Sequence, residues 1–105
     1  MKYEKLFEPC CIGSIKLKNR VTMAPMVTRY TSPDGLVTDR LVDYYVERAK
    51  GGAGLIVLEA CYSSPGGHPG RIGLYDDIFL PGLKRLVKSV HSEGAHIAID
   101  NSYTN

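Results

Sequence analysis

At 105 residues the chain is long enough for one small domain at most. Hydrophobic residues make up 44% and charged residues 23%, the make-up of an ordinary folded globular protein and not of a disordered one. The net charge of +2, with basic residues scattered among acids, excludes an electrostatic case for nucleic acid. Met1-Lys2-Tyr3-Glu4-Lys5 leads into no apolar run of the signal-peptide or membrane-span kind, so no membrane partner and a cytoplasmic location are expected.

In chain order, residues 6–19 (LFEPCCIGSIKLKN) carry a strand signature, with Ile15 and Leu17 alternating with Lys16 and Lys18. Gly13-Ser14 supplies a tight turn, and the segment is expected to form a short β-hairpin. Residues 20–26 (RVTMAPM) are the first buried strand, with Pro25 at its end because proline has no N–H for a ladder. Pro33-Asp34-Gly35 then marks a loop. A helix is expected over 38–50: Thr38 caps it, and Val42, Tyr45, Val46 and Ala49 form one apolar stripe. Gly51-Gly52 stops it.

Residues 54–60 (GLIVLEA) are a continuous apolar run, which reads as a strand buried on both faces. The long loop that follows, CYSSPGGHPGRIGLYDD, is rich in glycine and proline, and its length hints at function. A second helix is expected from about Ile78 to Glu93, with Pro81 in its first turn and Phe79, Leu83, Leu86, Val87 and Val90 as its stripe. Gly94 ends it, and AHIAI (95–99) forms a third strand. Cys10, Cys11 and Cys61 are odd in number and form no C-x-x-C pair, so they read as plain buried or half-buried thiols, with no disulfide and no metal site.

A hairpin followed by β-α-β-α-β predicts a parallel α/β sheet with helical crossovers. Three strands leave two open edges, whereas a barrel closes only with eight strands and roughly 250 residues. The chain is therefore expected to be a fragment of a (β/α)8 barrel, or to pair with something. A doubly wound nucleotide-binding fold is the runner-up. It would place G-x-G-x-x-G directly after the first strand, where APMVTRY stands instead. The stretch GGHPGRIG could cradle a phosphate, but it is far from a helix start and reads as a flexible loop over the barrel mouth.

LFEPCCIGSIKLKNRVTMAPM resembles the opening of the Old Yellow Enzyme family of flavin oxidoreductases. DGLVTDRLVDYYVERAKGGAGLIVLEACYSSPGG and GRIGLYDDIFLPGLKRLVKSVHSEGAHIAI continue the resemblance in order, so that it covers residues 6–99. It is closest in detail to the bacterial branch of NADH:flavin oxidoreductases, dienoyl-CoA reductases and enoate reductases. The resemblance implies that residues 1–105 are the N-terminal part of an FMN-binding TIM barrel. In such enzymes NADH or NADPH reduces the flavin, which passes hydride to the β-carbon of an activated alkene, a small-molecule substrate. Some members carry a 4Fe-4S cluster and an FAD domain, which would lie beyond these residues.

Carried over position by position, Ala24, Pro25 and Met26 match the strand end whose backbone lies beside the flavin ring. Val27 matches a position where relatives often have a threonine or cysteine that tunes the flavin by hydrogen bonding; valine cannot, so that role is weaker here or falls to Thr28. Ala60 matches the small residue that leaves room for the ring, and Glu59 reads as the centre of a structural network. Arg29 and Tyr30 lie in the loop that borders the substrate pocket in the family. His68, His91 and His96 match none of the family's substrate-binding histidines and read as structural.

The pattern breaks after Ile99. The family's third strand ends in a glutamine whose amide bonds the flavin's pyrimidine edge, followed by histidine and glycine-arginine. Here Asp100 stands at that position, and Asn101-Ser102-Tyr103-Thr104-Asn105 follows. A carboxylate accepts hydrogen bonds but does not donate them, and its charge disfavours an anionic reduced flavin. The break suggests a frameshift, a gene-fragment end or an engineered terminus near residue 100. The family's histidine pair, proton-donating tyrosine and phosphate loops belong to later strands. No catalytic residue is therefore expected within this chain, and the chain alone is expected to bind FMN poorly.

Three readings compete. One is a part of an FMN-dependent alkene reductase. Another is a catalytically inactive truncated or self-associating partial barrel, in which symmetric pairing covers the open edges. A phosphate-binding aldolase or isomerase barrel is a third; Lys50 and Lys84 fall on helices, away from Schiff-base positions at strand ends.

Overall fold

The structure is a computed structural model that describes residues 2–65 and 70–102. A 3-10 turn, Glu4–Phe7, leads into β1 (Cys10–Ile12) and β2 (Ile15–Leu17), an antiparallel hairpin with Ile12 opposite Ile15. Gly13 adopts φ +59 between them, a conformation that is open to a residue without Cβ. Cys11 is exposed on the hairpin, unlike half-buried Cys10 and buried Cys61, which corrects the expectation that all three thiols are at least half covered. A three-residue strand with no second layer over it leaves that face to solvent.

Asn19 ties the hairpin to the body of the chain. Its Nδ2 donates to the Gly52 carbonyl at 2.7 Å, and its Oδ1 accepts the Val21 N–H at 3.0 Å. The strand expected over 20–26 shrinks to β3 (Thr22–Met23). From Ala24 onward the chain leaves the ladder, as the missing N–H of Pro25 requires.

The helix α1 (Asp39–Lys50) forms as its sequence dictates: the Thr38 hydroxyl accepts the Leu41 N–H at 3.2 Å, and Arg48 and Lys50 suit the negative end of the helix dipole. Val46 is only half-buried; Leu41 joins the stripe in its place. The long strand β4 (Leu55–Tyr62) follows, ending two residues beyond the apolar run. The glycine-rich loop contains a short strand, β5 (Ile72–Gly73), that alternation does not reveal. Gly73 stands where a Cβ would meet the Phe79 ring at 2.6 Å, so only glycine lets that ring close over the strand. After a 3-10 turn, Asp77–Phe79, comes α2 (Leu80–Ser92), with Pro81 in its first turn. Strand β6 (His96–Ser102) continues past Ile99, three residues beyond the end expected for the third strand.

All pairings of β4 are parallel. β6 runs along one edge, from Leu55 opposite His96 to Tyr62 opposite Ser102. The other edge is shared by β3, against Leu55–Ile56, and β5, against Cys61–Tyr62. Both helices pack together on this sheet. Leu41, Tyr45 and Ala49 of α1 meet Leu86 and Val90 of α2 over Ile56 and Leu58 of β4. This is the opening of a TIM-type (β/α)8 barrel, with β3, β4 and β6 as its first three parallel strands and a hairpin at its N-terminal end. Among the described residues no helix is long and apolar enough to cross a membrane.

Candidate functional site

Barrel chemistry belongs at the C-terminal ends of the strands, and three segments converge there. The first is the chain leaving β3: Ala24, Pro25, Met26 and Val27 are all exposed, Met26 by 62% and Val27 by 39%. The second is the far end of β4. Its register with β6 shifts between Leu58 and Cys61: Leu58 faces Ile99 and Cys61 faces Asn101. Glu59 and Ala60 therefore both oppose Asp100, the two-against-one count of a β-bulge, a device that recurs beside active sites. Ala60 and Asp100 are half-buried at this bulge. The third is the segment entering β5, where Gly70 lies against Arg29: a Cβ on Gly70 would meet Arg29 Cβ and Cγ at 3.3 Å.

A buried carboxylate ties the first two of these segments to α1. Glu59 is fully buried, and its side chain accepts three hydrogen bonds: from the Thr28 hydroxyl at 2.9 Å, the Thr28 N–H at 3.4 Å and the Tyr45 hydroxyl at 2.9 Å. The Tyr45 oxygen in turn accepts the Glu59 backbone N–H at 3.2 Å. Every polar atom of this knot has a partner, which is the condition for burying a carboxylate. Burial first, and then the Glu59 charge, push the Tyr45 hydroxyl far above the ordinary tyrosine range. Burial, followed by the charges of Glu59 and Asp100, pushes the Cys61 thiol up to about 12. Glu59 thus has the structural role its sequence context suggests. Thr28 gives its one hydroxyl hydrogen to Glu59 and accepts the Tyr30 N–H at 3.1 Å, which leaves it little to offer a cofactor.

Arg29 is exposed and has φ +62. Tyr30 is half-buried, its ring edge-on to Tyr44 at 5.7 Å and covered by the Arg40 guanidinium at 3.8 Å. His91 and His96 lie edge-to-face at 5.6 Å, and His96 opens β6 at the opposite end of the sheet from the bulge. His68 lies outside the described residues. Among the described residues no group of three or more His, Cys, Asp or Glu is placed to hold a metal. Sequence reasoning did not find the Asn19 tether, the bulge or the Thr28 and Tyr45 partners of Glu59. An isolated glutamate in an apolar run was the signal for the last of these.

A parallel α/β sheet with this convergence at its strand ends defines the opening strands of a (β/α)8 barrel. The chain belongs to the NADH:flavin oxidoreductase / NADH oxidase family, which matches residues 5–104 and so runs through Asp100. It is 50% identical over 93 residues to a metal reductase of Desulforamulus reducens, covering 88% of this chain and 14% of that one. It is 41% identical over 98 residues to an NADH oxidase of Thermoanaerobacter brockii, covering 90% and 15%. Among solved structures, an Old Yellow Enzyme from a Pichia species superposes with a TM-score of 0.84 at 33% identity, covering 90% of this chain and 25% of that one. A 2-naphthoyl-CoA reductase superposes at 0.89 with 37% identity, covering 94% and 16%. The chain therefore spans well under a third of the length of these relatives.

Proposed function

We propose that this chain forms the flavin-ring side of an FMN-dependent NAD(P)H oxidoreductase that reduces activated alkenes of the enone or enoate type. The observation that carries the reading is the convergence at the strand ends: Ala24–Val27 leaving β3 beside the bulge that sets Ala60 against Asp100. Ala24, Pro25, Met26, Val27 and Ala60 are small or uncharged, which fits the face and edge of a flat heteroaromatic ring. When bound, the flavin would supply hydride transfer from the nicotinamide to the β-carbon of the alkene.

The chain's own residues do the positioning. The backbone of Ala24–Val27 would border the ring, and Ala60 would leave it room. The Glu59 knot fixes the loop that follows. Asp100 fits less well than an amide would, because a carboxylate accepts but does not donate, and its charge opposes negative charge on the reduced ring. Arg29 and Tyr30 would border the substrate. A solved morphinone reductase, 40% identical with a TM-score of 0.81, supports a conjugated substrate.

The test is a chimera in which residues 5–104 replace the matching segment of the Thermoanaerobacter brockii NADH oxidase. The chimera is expected to load FMN and to reduce 2-cyclohexenone with NADH or NADPH, and Asp100→Gln to raise the flavin potential. A folded chimera without flavin would overturn the reading.

One observation favours a second reading, a catalytically silent, self-associating partial barrel. Outside α2, a groove of about 650 Å³ has Leu80, Leu83, Val87 and Ile99 as its apolar lining, with Lys84, Lys88, His91 and Ser92 beside them, and Ile99 is 51% exposed on the edge of β6 that pairs with no strand among the described residues. A second copy seated there would cover both.

A further inference from the structure

We propose that Arg29 is an anion-recognising residue at the rim of the strand ends, and that the bonds from Glu59 and Thr38 hold it there. The inference rests on the reading of the strand ends as the reaction site and narrows the ligand to one that carries a carboxylate or phosphate.

Arg29 is the one residue other than glycine with positive φ among the described residues. That conformation is sterically disfavoured for a side chain with Cβ and persists only where the surroundings dictate it. The residues on both sides are clamped. Before it, the Thr28 N–H and hydroxyl both bond to Glu59, at 3.4 and 2.9 Å. After it, the Tyr30 N–H bonds back to the Thr28 hydroxyl at 3.1 Å, and the Tyr30 carbonyl accepts the hydroxyl of Thr38, the cap of α1. A fully buried carboxylate and a helix cap thus fix a kink whose outcome is the direction of a single side chain.

That side chain is an exposed cation. Arg29 pairs with no carboxylate among the described residues, and the absence of a Cβ on Gly70 makes room for its stem. A second guanidinium, Arg40, lies over the Tyr30 ring at 3.8 Å, so the residue next to Arg29 carries positive charge on its face. A planar guanidinium in a fixed direction suits a forked anion, carboxylate or phosphate. Two sources have this chemistry: an acidic substrate and the phosphates of a nicotinamide dinucleotide.

The test is an NMR titration of the 105-residue chain, following the Arg29 Nε–H with benzoate, with inorganic phosphate and, separately, with uncharged lumiflavin. Saturable shifts at Arg29 are expected with at least one anion, weakened tenfold or more in Arg29→Gln and retained in Arg29→Lys at the neighbouring amides. Thr28→Ala, which loosens the kink, should weaken them several-fold. A response to benzoate alone assigns the substrate, and a response to phosphate alone assigns the dinucleotide. Lumiflavin shifts at Ala24–Val27 with no anion shift at Arg29 would overturn this proposal while leaving the flavin reading in place. No response to either class of probe would overturn both.

Discussion

Tyr45 and Glu59 bond to each other twice: the tyrosine hydroxyl donates to the carboxylate at 2.9 Å, and its oxygen accepts the glutamate's own N–H at 3.2 Å. One side chain of α1 thereby fixes the strand where it bulges and, through the carboxylate, the loop leaving β3. Tyr45→Phe keeps the ring but strips the carboxylate of a donor and leaves a buried N–H unpaired. The expected loss is about 2 kcal/mol, read as a lower urea midpoint. Faster amide exchange at Thr28 should accompany it, since that N–H depends on Glu59.

Alkaline pH should loosen the same region. The folded Cys61 thiol titrates at about 12, above its ordinary value of 9.0. Between those values the folded chain holds more protons than the unfolded one, so the stability present below pH 9 falls as pH rises toward 12. Tyr45, raised above 10.0, acts in the same direction. The urea midpoint should decline over this window, less steeply in Cys61→Ala. At pH 8 a thiol reagent should label exposed Cys11 and leave Cys61 unmodified until the chain unfolds.

Gly73→Ala is expected to destabilise the chain by about 1–3 kcal/mol, because the new methyl meets the Phe79 ring. Phe79→Leu should recover part of the loss in the double variant. Additive losses in the denaturation midpoints would show that the two positions do not press on each other.

The groove outside α2 and the core beneath it should respond oppositely. Ile99→Lys places a charge on the exposed apolar face and is expected to lower the native mass in a sizing run while leaving the urea midpoint nearly unchanged. Leu86→Ala, in the fully buried core, should cost about 3 kcal/mol and leave the mass unaltered.

The helices were legible because their signals are local. Thr38, the stripe through Val42, Tyr45 and Ala49, and Gly51 all lie within fourteen residues of one another. The parallel α/β order followed from alternation, and the barrel was separated from a doubly wound fold by APMVTRY standing where G-x-G-x-x-G would be and by the motif resemblance. Three things were not legible. β3 pairs over only two residues, because the chain diverges at Ala24 before its apolar run ends. β5 has a glycine at one of its two positions, pairs with Cys61–Tyr62 and lies under the Phe79 ring, so contacts distant in sequence and not its own propensity place it. The bulge depends on two strands about 40 positions apart, and no pattern within either one announces it. At the candidate site, the positions of Ala24–Val27 and Ala60 came from motif resemblance, whereas the clamp on Arg29 appeared only once Thr28, Thr38 and Glu59 were brought together by the fold.

The most direct test of the central claim is an amide-shift titration of the labelled chain with FMN. Shifts concentrated at Ala24, Met26, Val27, Ala60 and Asp100 are the predicted result, however weak the binding. Shifts confined to Leu83, Val87 and Ile99 in the outer groove, or none at millimolar flavin, would contradict a flavin-ring role for the strand ends.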